Sequence, residues 1–83
     1  MANHASAKKR VRQIAKRRIA NRYYKKSTRS AIKKLRGMTE KSEAQSFLPK
    51  VISMVDRLVK RNQWHRNKAS NLKSKLTGFV NHL

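Results

Sequence analysis

The chain has 83 residues, of which 23 are Lys or Arg and three are Asp or Glu, so its formal net charge is +20. This length has room for one domain, and the charge indicates an anionic partner. The absence of cysteine excludes a disulfide framework and thiolate chemistry. Because no apolar run is long enough for a secretory signal or a membrane span, we expect a soluble, cytoplasmic protein.

The basic residues are concentrated at the start of the chain. The first 39 residues hold 14 Lys and Arg and no acid, in a run from Lys8 to Arg36. Like charges one helical turn apart destabilise an isolated helix, and a large net charge opposes a compact state. We therefore expect this segment to be disordered in the free chain and to become ordered when it binds a polyanion.

The first helix is predicted to run from Ser6, a favourable N-cap, to Arg36, with Gly37 as its C-terminal stop. Residues 1–37 thus form a basic N-terminal segment with a helix roughly 45 Å long. An apolar stripe survives only in its C-terminal half, where we expect Tyr24 and Leu35 to pack in the core. The N-terminal turns should project beyond the other helices, charged on nearly every side.

The second helix is predicted over residues 42–61. Ser42 and Gln45 have the spacing of a capping box, and Asn62 can adopt the left-handed conformation that ends a helix. Pro49 predicts either a bend after Leu48 or a later start of the regular helix. The apolar residues recur with the clearest helical period in the chain: Ala44, Phe47, Leu48, Val51, Ile52, Val55, Leu58 and Val59.

The third helix is predicted over residues 64–82. One stripe of this helix is apolar, made of Ala69, Leu72, Leu76, Phe79, Val80 and Leu83. The chain has two Gly, one Pro and no strand-type alternation, while strong helix formers are plentiful. The sequence therefore predicts an all-α fold: residues 1–83 form a single domain, a three-helix bundle with an extended, overhanging first helix.

The basic segment carries the first set of candidate binding residues. Because successive residues of a helix are about 100° apart, its charges point in several directions, which suits several RNA backbones better than one face of a DNA duplex. A merely solvated surface is the alternative for any charge run. The cations are Lys8, Lys9, Arg10, Arg12, Lys16, Arg17, Arg18, Arg22, Lys25, Lys26, Arg29, Lys33, Lys34 and Arg36. Within this run, Tyr23 could serve either in stacking on an unpaired base or as a plain surface residue.

A second set lies around the start of the third helix. Arg66 and Lys68 are placed where free backbone N–H groups attract phosphate, and Lys73 and Lys75 follow within three turns. A solvated helix face remains the alternative for these residues. We expect Trp64 to pack against the bundle, with RNA contact as its alternative role.

Catalysis finds no support in the sequence. The acids are Glu40, Glu43 and Asp56, and no two of them are arranged as a general acid–base pair. The three histidines are scattered without metal-type spacing, and no Gly-rich phosphate loop is present. We expect no enzyme, no metal and no cofactor.

Three other classes compete with RNA binding. A nucleoid-type DNA-compacting protein shares the charge, but such proteins commonly insert an apolar wedge or dimerise. A membrane-active basic peptide needs a wide apolar face opposite its charges. An organellar transit peptide is also Arg-rich and acid-poor, yet here the basic run continues into the first helix.

Two motifs resemble those of a known family. The chain opens with Met1-Ala2-Asn3-His4-Ala5-Ser6-Ala7-Lys8-Lys9-Arg10, and further on it has His65-Arg66-Asn67-Lys68-Ala69 followed by Leu72-Lys73-Ser74-Lys75-Leu76. With the proline-containing segment from Pro49 to Arg57, they resemble the bacterial small-subunit ribosomal protein twenty family over the whole chain. This resemblance implies a three-helix bundle that binds small-subunit ribosomal RNA directly, has few protein contacts and stays in the mature subunit. It implies RNA contacts by Asn3, Ser6, Lys8, Lys9, Arg10 and the stretch His65, Arg66, Asn67, Lys68, Lys73 and Lys75.

Overall fold

The computed structural model describes residues 3–83. Met1 and Ala2, the first two residues of the opening motif, lie outside this range. Three α-helices follow one another: α1 (Asn3–Arg36), α2 (Lys41–Lys60) and α3 (Arg66–Asn81). The middle helix packs against both of the others, and no strand occurs in this range. The all-α prediction is confirmed.

Helix α1 begins at Asn3, so Ser6 lies inside it and is not the predicted N-cap. Nothing stops the helix from beginning earlier, because residues 3–5 include neither Gly nor Pro. The predicted end is confirmed: the helix closes at Arg36, and the N–H of Gly37 donates to the carbonyls of Lys33 (3.1 Å) and Lys34 (3.2 Å).

Helix α2 begins at Lys41 with Glu40 as its N-cap residue, and no side chain caps it. The predicted capping box is wrong, because Ser42 already lies in the first turn, where its carbonyl accepts from Ser46 Oγ at 3.0 Å. The helix continues through Pro49 without interruption, which excludes the predicted later start. Asn62 has a φ of 58°, which confirms the left-handed end.

Helix α3 begins at Arg66, two residues later than predicted, because His65 is its N-cap: the His65 Nδ1 accepts from the Asn67 N–H at 3.1 Å. Trp64 therefore precedes the helix, and with 8% of its surface exposed it belongs to the core. The packing role predicted for Trp64 is confirmed.

All three helices and the Trp64 side chain contribute to one apolar core. Helix α2 supplies its largest share, which matches the strong period of the sequence. Burial of each large side chain stabilises the fold by about 1.5–3 kcal/mol. The fully or nearly buried apolar residues are Ile32, Leu35, Ala44, Val51, Val55, Leu58, Trp64, Ala69, Leu76 and Val80. Thr28 is also buried, with its hydroxyl donating to the Tyr24 carbonyl at 2.7 Å.

The N-terminal part of α1 projects from this core. With 34 residues, α1 is about 51 Å long, whereas the 20 residues of α2 span only about 30 Å. Every side chain of residues 6–19, called the arm below, is exposed, and the protein measures 63 × 21 × 14 Å. The predicted overhang is confirmed.

Candidate nucleic-acid interface

The arm presents positive charge around its whole circumference. It contains no acid, and none of its cations forms an ion pair or side-chain hydrogen bond with the other described residues. These groups are therefore free to neutralise phosphates. The predicted contact residues on the arm are Ser6, Lys8, Lys9, Arg10, Arg12, Lys16, Arg17 and Arg18, all exposed. Asn3 lies in the first turn of α1, and its side chain is outside the described part of the chain.

A basic groove lies at the base of the arm, where α1 meets the connection between α2 and α3. One wall of the groove consists of two neighbouring rows of α1 side chains, in each of which every fourth residue belongs to the row. Gln63, in the connection between α2 and α3, also lines the groove. Lys33 is exposed one turn beyond Arg29 on the same row. The residues that line the groove are Arg18, Asn21, Arg22, Lys25, Lys26, Arg29, Ser30 and Gln63.

Arg61 holds the end of α2 against α1 beside this groove. Its guanidinium carbon lies 4.0 Å from the centre of the Tyr24 ring, and its Nη1 donates to Asn21 Oδ1 at 3.3 Å. The prediction that Tyr24 packs in the core is wrong: 36% of the residue is exposed, and Arg61 covers its ring instead. Sequence reasoning missed Arg61, Asn21 and Gln63, because only tertiary structure brings residues 40 positions apart together.

The two adjacent tyrosines have different environments. Tyr23 is 65% exposed, and its ring meets the Tyr24 ring edge to face, with centroids 5.5 Å apart. Because Arg61 lies over Tyr24, Tyr23 is the tyrosine whose ring is available for stacking.

The second predicted set divides into free and engaged cations. His65, Arg66, Asn67, Lys68 and Lys75 are exposed, although His65 already caps α3. The Lys68 Nζ lies 4.4 Å from the centre of the Trp64 ring, which leaves its outer side open to solvent.

Lys73 differs from the other predicted contacts on α3. Its Nζ forms an ion pair with Asp56 Oδ1 at 2.9 Å, and both side chains are partly exposed. To bind a phosphate, Lys73 must share or release this carboxylate. The salt bridge also fastens α3 to α2, so the residue has a structural contact that sequence reasoning did not predict.

The fold brings the two predicted sets to the same end of the bundle. Arg61 contacts α1 and Gln63 lines the basic groove, and α3 begins at Arg66, only three residues after Gln63. Phosphate-attracting N–H groups at the start of α3 therefore lie near the base of the arm. Glu40 and Glu43 are at the start of α2, next to the other end of α1. These two glutamates are thus kept apart from the arm, and the third acid, Asp56, is paired with Lys73.

Neither metal chemistry nor a membrane span is indicated in residues 3–83. No three His, Cys, Asp or Glu side chains described there come together as metal ligands. None of the three helices has an apolar stretch that could cross a bilayer.

The fold and the site define a small, all-α, strongly basic protein whose free cations are displayed on a projecting helix. The sequence profile of a family described as "Ribosomal protein S20" matches residues 2–81. The chain is therefore a member of the ribosomal protein S20 family, which is a family of structural proteins and not of enzymes.

Relatives from several bacteria are similar over at least 96% of their length. A protein of Flavobacterium psychrophilum named "Small ribosomal subunit protein bS20" is 60% identical over 83 residues, which covers all of both chains. Proteins of the same name from Parabacteroides distasonis and Flavobacterium johnsoniae are 57% and 61% identical. The P. distasonis match covers 100% of this chain and 99% of the relative. The F. johnsoniae match covers 96% of each chain.

Proposed function

We propose that this protein is a structural constituent of the small ribosomal subunit that binds small-subunit ribosomal RNA directly. The observation that carries the proposal is the arm: a projecting helix, exposed on all sides, whose cations have no acidic partner among the described residues. Membership in the S20 family and the names of its relatives support the ribosomal setting. The place of action is then the ribosome in the cytoplasm.

The arm neutralises phosphates of several RNA segments at once. Arg17 and Arg18 are adjacent residues, so their side chains leave the helix about 100° apart and reach different backbones. A folded RNA offers phosphates on several sides of an inserted helix, whereas one DNA groove does not. By tying segments together in this way, the protein stabilises the folded RNA during assembly of the subunit.

The contact residues fall into three groups along the surface. The arm contributes Ser6, Lys8, Lys9, Arg10, Arg12, Lys16 and Arg17, and Asn3 precedes it in the first turn of α1. The basic groove and its continuation contribute Arg18, Arg22, Lys25, Lys26, Arg29 and Lys33. The start and first turns of α3 contribute His65, Arg66, Asn67, Lys68, Lys73 and Lys75. We infer few protein contacts in the subunit, because the exposed surface at this end is dominated by cations that match RNA.

A competition assay tests the proposal. Labelled small-subunit ribosomal RNA is bound at about 150 mM monovalent salt, near physiological ionic strength, and challenged with unlabelled ribosomal RNA, duplex DNA or an unrelated structured RNA. We expect only the ribosomal RNA to compete well. Equal competition by all three polyanions would leave a non-specific cation and favour the DNA-compacting alternative.

A further inference from the structure

A row of exposed apolar side chains runs between the charges of the arm and continues one turn beyond it. From Ala7 to Tyr23, every fourth residue is apolar and exposed, with exposures of 65% for Val11, 72% for Ile19 and 65% for Tyr23. Single exposed apolar side chains need no explanation. Here, however, they recur in register, and the members of this apolar row are Ala7, Val11, Ala15, Ile19 and Tyr23.

The apolar row is not an uncovered remainder of the bundle core. Ile19 and the buried Thr28 are nine residues apart, which places them on opposite sides of α1, about 180° around its axis. Tyr23 and Thr28 are about 140° apart by the same measure. The C-terminal half of the row therefore points away from α2 and α3, and neither of these helices covers it.

Positive charge flanks the row on both sides. Residues three positions apart are also neighbours on a helix surface. The residues three positions before and three positions after each member of the apolar row therefore form the two rows beside it. One neighbouring row carries Lys8, Arg12 and Lys16, and the other carries Arg10, Arg18 and Arg22, with the exposed Ile14 between Arg10 and Arg18. A partner that covers the apolar row must thus be anionic at its edges and apolar in between.

RNA has this combination of surfaces. Its phosphates are anionic, while the wide, shallow minor groove exposes riboses and base edges, and unpaired bases stack on aromatic rings. A membrane surface fits less well, because an interfacial helix needs a broad apolar face, and here only one row in about four is apolar. The charge pattern therefore favours RNA as the occupant.

We propose that the apolar row lies against the sugar and base surface of the bound RNA, with the flanking cations on phosphates. Val11 and Ile19 contact ribose and base-edge surface, and Tyr23 stacks on a base. This inference rests on the proposed function and goes beyond it, since it assigns a part of the affinity that is independent of charge. Such a contribution releases no counterions, so salt does not weaken it as it weakens phosphate contacts.

A comparison of two triple variants tests the inference. Val11→Gln/Ile19→Gln/Tyr23→Gln removes the apolar row, and because Gln is a better helix former than Val, Ile or Tyr, the helix is kept. We expect its affinity for small-subunit ribosomal RNA to fall about 10–100-fold at every salt concentration, with the slope of log K against log[salt] unchanged. The matched variant Arg12→Gln/Arg18→Gln/Arg22→Gln should lower this slope by about 2–3.

The inference would be overturned if the variant without the apolar row bound RNA with wild-type affinity. It would also be overturned if that variant lost affinity only at low salt, as the arginine variant should. Vesicles with equal amounts of anionic and zwitterionic lipid provide a further arm of the experiment. If the first variant lost vesicle binding and kept RNA binding, the row would be a membrane surface and the inference would be wrong. Failure of the proposed function has a different signature: the wild-type protein itself would show no preference for ribosomal RNA.

Discussion

Replacing Arg17 and Arg18 with alanine removes two neighbouring charges from the arm without touching the core. Both side chains are exposed and make no hydrogen bond or ion pair within the described residues. Alanine has the highest helix propensity, so helicity should be unchanged, and unfolding free energy should stay within about 0.5 kcal/mol of wild type.

The effect on RNA binding can be worked out from the two lost contacts. Each phosphate neutralised contributes about 0.7–0.9 to the salt slope, so the double variant should lose about 1.4–1.8. Relative to a 1 M reference, that slope corresponds to about 15–30-fold weaker binding at 0.15 M salt, and the difference should vanish as salt approaches 1 M. Filter binding across a salt series measures both quantities.

Lys50→Ala/Lys60→Ala is the matched control, because it lowers the net charge equally at exposed positions of α2 outside the proposed interface. We expect a salt slope close to wild type. If the two double variants had the same slope, net charge and not the arm would determine binding. Loss of helicity in Arg17→Ala/Arg18→Ala would show that these residues are structural and refute the reasoning.

Further predictions concern the bundle and the free arm. Arg61→Ala should lower unfolding free energy by about 1 kcal/mol in thermal melts, since it loses the contact with the Tyr24 ring and one hydrogen bond; an unchanged melt would refute this role. Leu58→Ala, at a fully buried position, should cost about 2–5 kcal/mol in urea unfolding, and a cost below 1 kcal/mol would contradict the assigned core. Lys75→Ala should weaken RNA binding more than Lys73→Ala, because the wild-type Lys73 already has a carboxylate partner. The opposite order would contradict the division into free and engaged cations. In circular dichroism, added polyphosphate should raise the helicity of the free protein by neutralising the arm; no increase would show that the arm is already ordered.

The sequence predicted the fold well where one local signal dominated. Helix α2 has a strong apolar period, and the structure buries Val51, Val55 and Leu58 completely. The side chain of Asn62 tolerates a positive φ, which predicts the end of this helix, and the structure confirms it. The overhang followed from simple lengths, since a helix that is about 20 Å longer than its neighbours cannot be covered by them.

Helix starts were predicted less well, because several residues compete for the N-cap position. His65 caps α3 with a ring nitrogen, and Glu40 precedes α2 without any side-chain cap. Ser6 and Ser42, the favoured residue type, both lie inside helices. Cap preference is worth only about 1 kcal/mol, so packing of the helix face can override it.

The candidate site could be predicted in outline only. Abundant cations without acids are visible in the sequence, but their partners are not. The pairing of Lys73 with Asp56 and the contact between Arg61 and Tyr24 depend on how α2 packs against the other two helices. For the same reason, the convergence of the basic groove and the start of α3 at one end of the bundle could not be read from spacing alone.

Hydroxyl-radical footprinting on small-subunit ribosomal RNA tests the central claim, that the arm ties several RNA segments together, most directly. The wild-type protein is compared with Arg10→Gln/Arg12→Gln/Arg17→Gln/Arg18→Gln. This variant removes four arm charges and preserves the helix, because Gln is a good helix former like Arg. We predict that the wild type protects riboses in at least two segments distant in the RNA sequence. The variant should lose some of these and keep those protected by α3. Protection of a single continuous segment, or a footprint that the four substitutions leave unchanged, would contradict the account.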